Sequence, residues 1–252
     1  MTSISRCILH LSTVCLATMV FAATPLLAED EAMMQASRPV DGSNLFYLPA
    51  GKPDVVALLA PPPLPDSAEQ AADMDTVHAV FHAAGSNDIA AALSEKKFNI
   101  FNFTLAVGVF FQSNNLPQTA AFFNKIQKDA AAVTDNAKDF YKRPRPYVTD
   151  PTLANGKLEK SFSYPSGHST ESMVVALVLA DLFPDRHDAI IAEARSIGWH
   201  RVEIARHYPT DIYAGRVLAQ AIVQEIKKSG EFQKDFEKVK SELTAARTTA
   251  NN

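Results

Sequence analysis

Residues 163–183 read SYPSGHSTESMVVALVLADLF, and this stretch decides the fold. Its first half is polar and turn-like. Its second half, from Ser172 to Ala180, is apolar on every side, and Asp181 stops it well short of the ~20 residues that span a bilayer. A helix that is apolar all round must be wrapped by protein, so the spacing predicts a helix near 167–183 at the centre of a bundle.

Outward from this centre the same periodicity recurs. Ala71, Met74, Val77, Val80 and Phe81 follow three-and-four spacing, and further helices are expected near 67–84, 86–96, 99–112, 117–142, 186–207, 209–228 and 230–246. Runs of alternating polarity long enough for a sheet are missing, and no internal repeat is visible, so the class is all-α. The expected architecture is a single-domain helical bundle around a central apolar helix, with the helical domain over 67–246 and a polar tail over 247–252. Ahead of it, residues 29–66 carry Pro and Gly repeatedly, including Pro61-Pro62-Pro63, and read as an extended arm.

Residues 1–28 read as an export signal: Arg6, an apolar run from Cys7 to Ala22, then small residues. Cleavage after Ala22 or Ala28 fits, and Ala28 is favoured because Glu29 and Asp30 follow it directly. Both cysteines, Cys7 and Cys15, lie inside this leader, so the remaining chain has no internal disulfide to rely on and must be held by its core. The formal net charge is −4 and becomes one unit more negative without the leader, whose charged residue is Arg6. Nothing in that balance suggests nucleic acid, and no segment after the leader reaches membrane-spanning length. The expected location is the periplasm or the medium.

Three segments carry chemistry. The first, Lys138 to Pro146 (KDFYKRPRP), sets Lys138 and Arg145 seven residues apart at the end of a long helix; Pro144 and Pro146 force the chain out of that helix near Lys142 and present Arg145 from a stiff turn. The second is Ser166-Gly167-His168 at the start of the apolar helix. The first N–H groups of a helix lack internal partners and its dipole is positive there, so an anion is welcome, and Gly167 lets an oxygen approach the backbone. The third runs from Arg201 to Asp211. Ile190, Ala194, Ile197, Arg201 and Ile204 share one helical stripe, so Arg201 points where the core residues point, and a buried guanidinium needs an anion. Pro209 is suited to open the next helix, leaving His207 at a junction with Asp211 in the following first turn, where a carboxylate can hold one imidazole nitrogen and leave the other free to attack. Taken singly, the first segment reads as a solvated face, the second as a capped helix start and the third as a structural His–Asp hydrogen bond.

Together they resemble the signature of the type 2 phosphatidic acid phosphatase and vanadium haloperoxidase superfamily: Lys138, Arg145 and Pro146 match its first part, Pro165 to His168 its second, and Arg201, His207 and Asp211 its third, in order and with matching spacing. The arm with Phe46-Tyr47-Leu48 and the stretch Asp66 to Asp73 are similar to the bacterial class A non-specific acid phosphatases. One departure is plain: His200 stands where the superfamily usually has serine before the arginine.

The resemblance implies hydrolysis of phosphate monoesters without a metal or other cofactor. Lys138, Arg145 and Arg201, with the Ser166 hydroxyl and the Gly167 N–H, would bind the phosphate oxygens. His207 would attack phosphorus, Asp211 would orient it, and His168 would protonate the leaving alcohol. The implied partners are small soluble phosphate esters, with phosphate and vanadate as inhibitors; a homo-oligomer is compatible with this reading. The alternatives are a vanadate-dependent haloperoxidase or a lipid phosphate phosphatase with the same pocket, and, from another class, a helical phosphate-binding module without turnover.

Overall fold

The structure, a computed structural model, describes residues 45–250; the expected leader and residues 29–44 of the arm lie outside them. Seven helices of nine residues or more stand among the described residues, which contain no strand: α1 (Ala68–Ala83), α2 (Ser86–Ser94), α3 (Pro117–Tyr141), α4 (Gly167–Leu182), α5 (His187–Glu203), α6 (Pro209–Ile226) and α7 (Gly230–Ala250). Local chemistry sets their ends. The Ser67 hydroxyl accepts from the Gln70 N–H at 3.1 Å to start α1, Pro117 and Pro209 occupy first-turn positions where no N–H is needed, and Lys142 turns left-handed (φ 50°) to end α3 where the prolines demand it.

Three expected helices have different limits. The one expected over 99–112 is a short 3-10 turn, Ile100–Phe103, and a single α turn, Thr104–Val107. The Asn99 and Asn102 side chains bind the local backbone instead of leaving it to helix, and Gly108 adopts φ 139°, a conformation that ends it. Helix α5, expected to reach residue 207, stops at Glu203: Ala205 turns left-handed (φ 51°) and the Arg206 N–H folds back onto the Arg201 carbonyl at 2.8 Å. At the C-terminus the expected polar tail is helical as far as Ala250, tied by the Arg247–Asp185 ion pair at 2.7 Å and by hydroxyls of Thr248 and Thr249 on carbonyls one turn back.

Helix α4 packs against α3, α5 and α6 and buries Met173, Val174, Val175, Ala176, Val178 and Leu179. Each such side chain contributes about 1.5–3 kcal/mol when fully buried, except the small Ala176. Two glycines let the neighbours come close. A Cβ on Gly215 of α6 would lie 2.9 Å from the Ser166 carbonyl oxygen, and one on Gly198 of α5 would lie 3.2 Å from Ser169 Oγ. The start of α6 is therefore pressed onto the start of α4, and the Ser166 N–H donates to the Asp211 carbonyl at 3.0 Å.

The described part of the arm is held at discrete points. Backbone N–H groups of Phe46, Tyr47 and Leu48 donate to the Asp129 carboxylate, the Tyr47 ring packs edge-on against Phe232, and the hydroxyls of Tyr141 and Tyr164 donate to the carbonyls of Leu59 and Ala60. It contains one helical turn, Val55–Leu58, capped by Asp54.

Candidate active site

The three chemical segments meet where the ends of α3 and α5 face the starts of α4 and α6. His207 is fully buried at the α5–α6 junction. Its Nδ1 lies 3.2 Å from Asp211 Oδ2, and because a carboxylate only accepts, Nδ1 carries the proton. Its Nε2 then has a free lone pair, which accepts from Arg145 Nη1 at 3.2 Å. Burial comes first among the effects that hold this imidazole well below its usual pKa, and the positive fields of Arg145 and Lys138 follow.

Asp211 is completely removed from solvent and carries a full set of donors. Arg143 Nη1 donates at 2.6 Å, Ser163 Oγ at 2.5 Å and the Tyr208 N–H at 2.9 Å. Arg143 is held in turn by Asp73 and Gln70 at 2.7 Å each, and its guanidinium lies 3.9 Å above the Tyr208 ring. Thr210 ties the same Asp73 carboxylate to the start of α6. Such a network fixes the Asp211 carboxylate in one orientation, and with it the His207 ring.

Of the cations, Arg145 touches Nε2, and the charges of Lys138 and Arg201 act on the same imidazole. Lys138 is 5% exposed and spends two of its three N–H groups on the carbonyls of Phe162 (2.7 Å) and Ser163 (3.3 Å). Burial, aided by Arg145, pushes it down to about 8. Arg145 donates to the Ser161 and Arg206 carbonyls at 2.8 and 2.9 Å. Arg201 reaches the site from α5, buried as its stripe requires, and its Nε has no hydrogen-bond partner. Ser166 caps α4, accepting from the Ser169 N–H, which leaves its own O–H able to donate; Gly167 is the first residue of that helix. His168 follows, with its Nε2–H on the Glu95 carbonyl at 3.1 Å, and burial together with Arg201 lowers it to about 4.

All eight residues expected at the site are thus brought to one place. The sequence reading missed four others. Arg143 lay in plain view inside KDFYKRPRP, and Asp73 in the stretch that carried the resemblance, yet only packing joins them to Asp211. Glu95 supplies the carbonyl for His168 and a carboxylate that accepts from His200 Nδ1 at 2.9 Å, so His200 belongs to the surround of His168 and its pKa is raised by that bond. Glu159 bridges Arg145 and Arg201. Nothing local marks Glu159, which stands in an irregular loop. No group of three His, Cys, Asp or Glu side chains among the described residues could hold a metal ion, and none of the described helices is long and apolar enough to cross a membrane.

Comparison with known proteins gives the same part of the chain. The model of the PAP2 superfamily matches residues 121–232. The acid phosphatase of Zymomonas mobilis is 30% identical over 207 residues, covering 79% of this chain and 78% of its own. The non-specific acid phosphatase of Providencia stuartii is 31% identical over 217 residues, 79% and 85% of the two chains. Among solved structures, a transmembrane PAP2-type phosphatidylglycerolphosphate phosphatase from Bacillus subtilis is similar with a TM-score of 0.47 and 19% identity, over 69% of this chain and 89% of its own.

Proposed function

The chain belongs to the PAP2 superfamily and, within it, to the bacterial acid phosphatases, which makes it a phosphoric monoester hydrolase, and we propose that it cleaves a broad range of small soluble phosphate esters through a phosphohistidine on His207. One observation carries the mechanism: the His207 ring is held by its Nδ1–H on Asp211 while the unprotonated Nε2 faces Arg145, within the fields of the buried Lys138 and Arg201.

In this reading the non-bridging oxygens of the ester take hydrogen bonds from Lys138, Arg145, Arg201, the Ser166 hydroxyl and the Gly167 N–H. These groups are already in place, so charge shifting onto the oxygens in the transition state meets fixed donors. His207 Nε2 attacks phosphorus in line with the leaving oxygen; the P–O bond breaks as the N–P bond forms, and Asp211 supports the imidazolium. With the Nε2–H of His168 committed to the Glu95 carbonyl, its Nδ1 is the atom left to hand a proton to the leaving alcohol and then to take one from water as the phosphohistidine is hydrolysed. The cations supply the electrostatic work for which other phosphatases use a metal ion. Export to the periplasm or the medium, through the leader over 1–28, belongs to the same proposal.

Rapid-quench trapping with a labelled ester tests it. The wild-type chain is expected to yield an acid-labile phosphoenzyme, and turnover of p-nitrophenyl phosphate is expected to survive EDTA. His207→Ala should yield no phosphoenzyme and lose turnover on the order of 10³-fold or more while keeping phosphate affinity. A His207→Ala variant that still turns over sinks the assignment.

A further inference from the structure

The bridging carboxylate of Glu159 has no part in the chemistry proposed above, yet it occupies the heart of the site. Glu159 Oε2 lies 2.6 Å from Arg145 Nη2, and Oε1 lies 2.5 Å from Arg201 Nη2. Both guanidinium groups are 3% exposed, while the Glu159 side chain is 33% exposed. One carboxylate therefore offers two oxygens to the two arginines that are to hold two oxygens of a phosphate. Burial would raise its pKa, but the guanidinium charges of Arg145 and Arg201 outweigh burial and lower it to about 2, so it is ionised.

The surroundings allow this side chain to leave without unfolding anything. Its main chain is pinned: the Glu159 N–H donates to Tyr147 Oη at 3.2 Å, and Tyr147 Oη donates to the Glu159 carbonyl at 2.8 Å. The neighbouring side chains of Leu158 and Phe162 are 44% and 37% exposed, so no packed cover has to be lifted. Rotation about the side-chain bonds of Glu159 frees both guanidinium groups. Two buried guanidinium charges with no counter-anion would be costly even though Arg145 keeps its bonds to Ser161 and Arg206, which explains why the chain supplies an anion of its own. The partnerless Nε of Arg201 fits a site whose full set of acceptors arrives with the ligand.

We propose that Glu159 is a tethered competitor, an internal carboxylate that fills the phosphate site and must be displaced by every ligand that enters it. This rests on the reading of Lys138, Arg145 and Arg201 as the phosphate clamp. A competitor that acts only on the unliganded state weakens all ligands by one common factor, the fraction of molecules with the site open, and leaves the bound state untouched. The signature is a change in KM and in inhibition constants by the same ratio, with kcat unaffected. A residue touching the substrate would move ester and inorganic phosphate unequally, and a catalytic one would move kcat.

The experiment compares wild type, Glu159→Gln and Glu159→Asp, each folded and full-length, by calorimetric titration with inorganic phosphate and vanadate and by kinetics with p-nitrophenyl phosphate. Glu159→Gln is expected to tighten phosphate, vanadate and KM together, by about tenfold, with kcat within twofold of wild type. Glu159→Asp keeps the charge but is one methylene too short to span both arginines, so it should tighten all three in the same direction. If Glu159→Asp behaves as wild type while Glu159→Gln does not, the carboxylate acts only through its general field and the proposal fails. Equal phosphate affinity in all three chains overturns it while leaving the clamp intact. A wild-type chain that binds no phosphate at all overturns both.

Discussion

Two carboxylates among the described residues have no exposure to solvent, Asp129 in the middle of α3 and Asp211 at the start of α6, and they are satisfied in opposite ways. Asp129 receives three backbone N–H groups from consecutive residues of the arm, at 2.8–3.1 Å. Asp211 receives the Arg143 guanidinium, the Ser163 hydroxyl, the Tyr208 N–H and the His207 imidazole. The first arrangement fastens one piece of chain to another and asks nothing of the carboxylate's charge beyond accepting hydrogen bonds. The second sets the charge against an imidazole whose protonation matters, and braces it through Arg143 and Asp73 so that it cannot turn away. Burial and full satisfaction do not distinguish structure from chemistry here; the identity of the donors does.

Breaking the two carboxylates in parallel separates these roles. Asp211→Asn is expected to lower kcat by on the order of 10³-fold or more, because an amide can hold the wrong imidazole tautomer, and steady-state kinetics with p-nitrophenyl phosphate reads that loss. Asp129→Asn is expected to leave kcat at 25 °C within about twofold. It turns one acceptor into a donor facing the backbone N–H groups, costing about 3 kcal/mol and lowering Tm by roughly 6–12 °C in a calorimetric scan. Equal kinetic damage from the two substitutions would erase the distinction.

The imidazoles give the pH dependence. His168 must be protonated to act as the acid, and its pKa is held near 4 by burial and Arg201, so kcat/KM should climb as the pH falls from 7 toward 4. His207 must be bare to attack, and its pKa lies well below the usual value, so its protonation does not cut the rise short at mildly acid pH. A profile of kcat/KM that is flat from pH 7 to 5 would remove His168 from the role of acid. The smallest effect is expected at the departure from the family pattern. His200→Ser deprives Glu95 of its ion pair, two steps from the chemistry, and should change kcat/KM by less than tenfold while lowering Tm by roughly 2–4 °C.

Much of this could be read along the chain. The break after Tyr141, the buried face of Arg201 and the first-turn position of Asp211 follow from proline geometry and helical periodicity, and each holds in the structure. The helix expected over 99–112 breaks into two short turns because Asn99, Asn102 and Gly108 override an apolar pattern that by itself suits a helix. The overrun of α5 has a similar origin: Ala205 has ample helix propensity, and only the return of the Arg206 N–H to Arg201 turns it left-handed.

The sequence by itself determined that the chain is helical, that one of its helices is apolar along most of its length, and that Lys138, Arg145, Ser166, Gly167, His168, Arg201, His207 and Asp211 stand near helix ends in an order that suits one anion site. These features are local, set by residues within a turn or two of each other. Tertiary structure alone decided that Arg143 braces Asp211 rather than joining the clamp, that Glu95 links His168 to His200, and that Glu159 fills the space between Arg145 and Arg201. Those partners lie far apart in the chain, and they meet only once the helices pack, with Gly215 bringing α6 to the backbone at the start of α4 and Gly198 setting α5 against the Ser169 side chain, distances that no sequence period encodes.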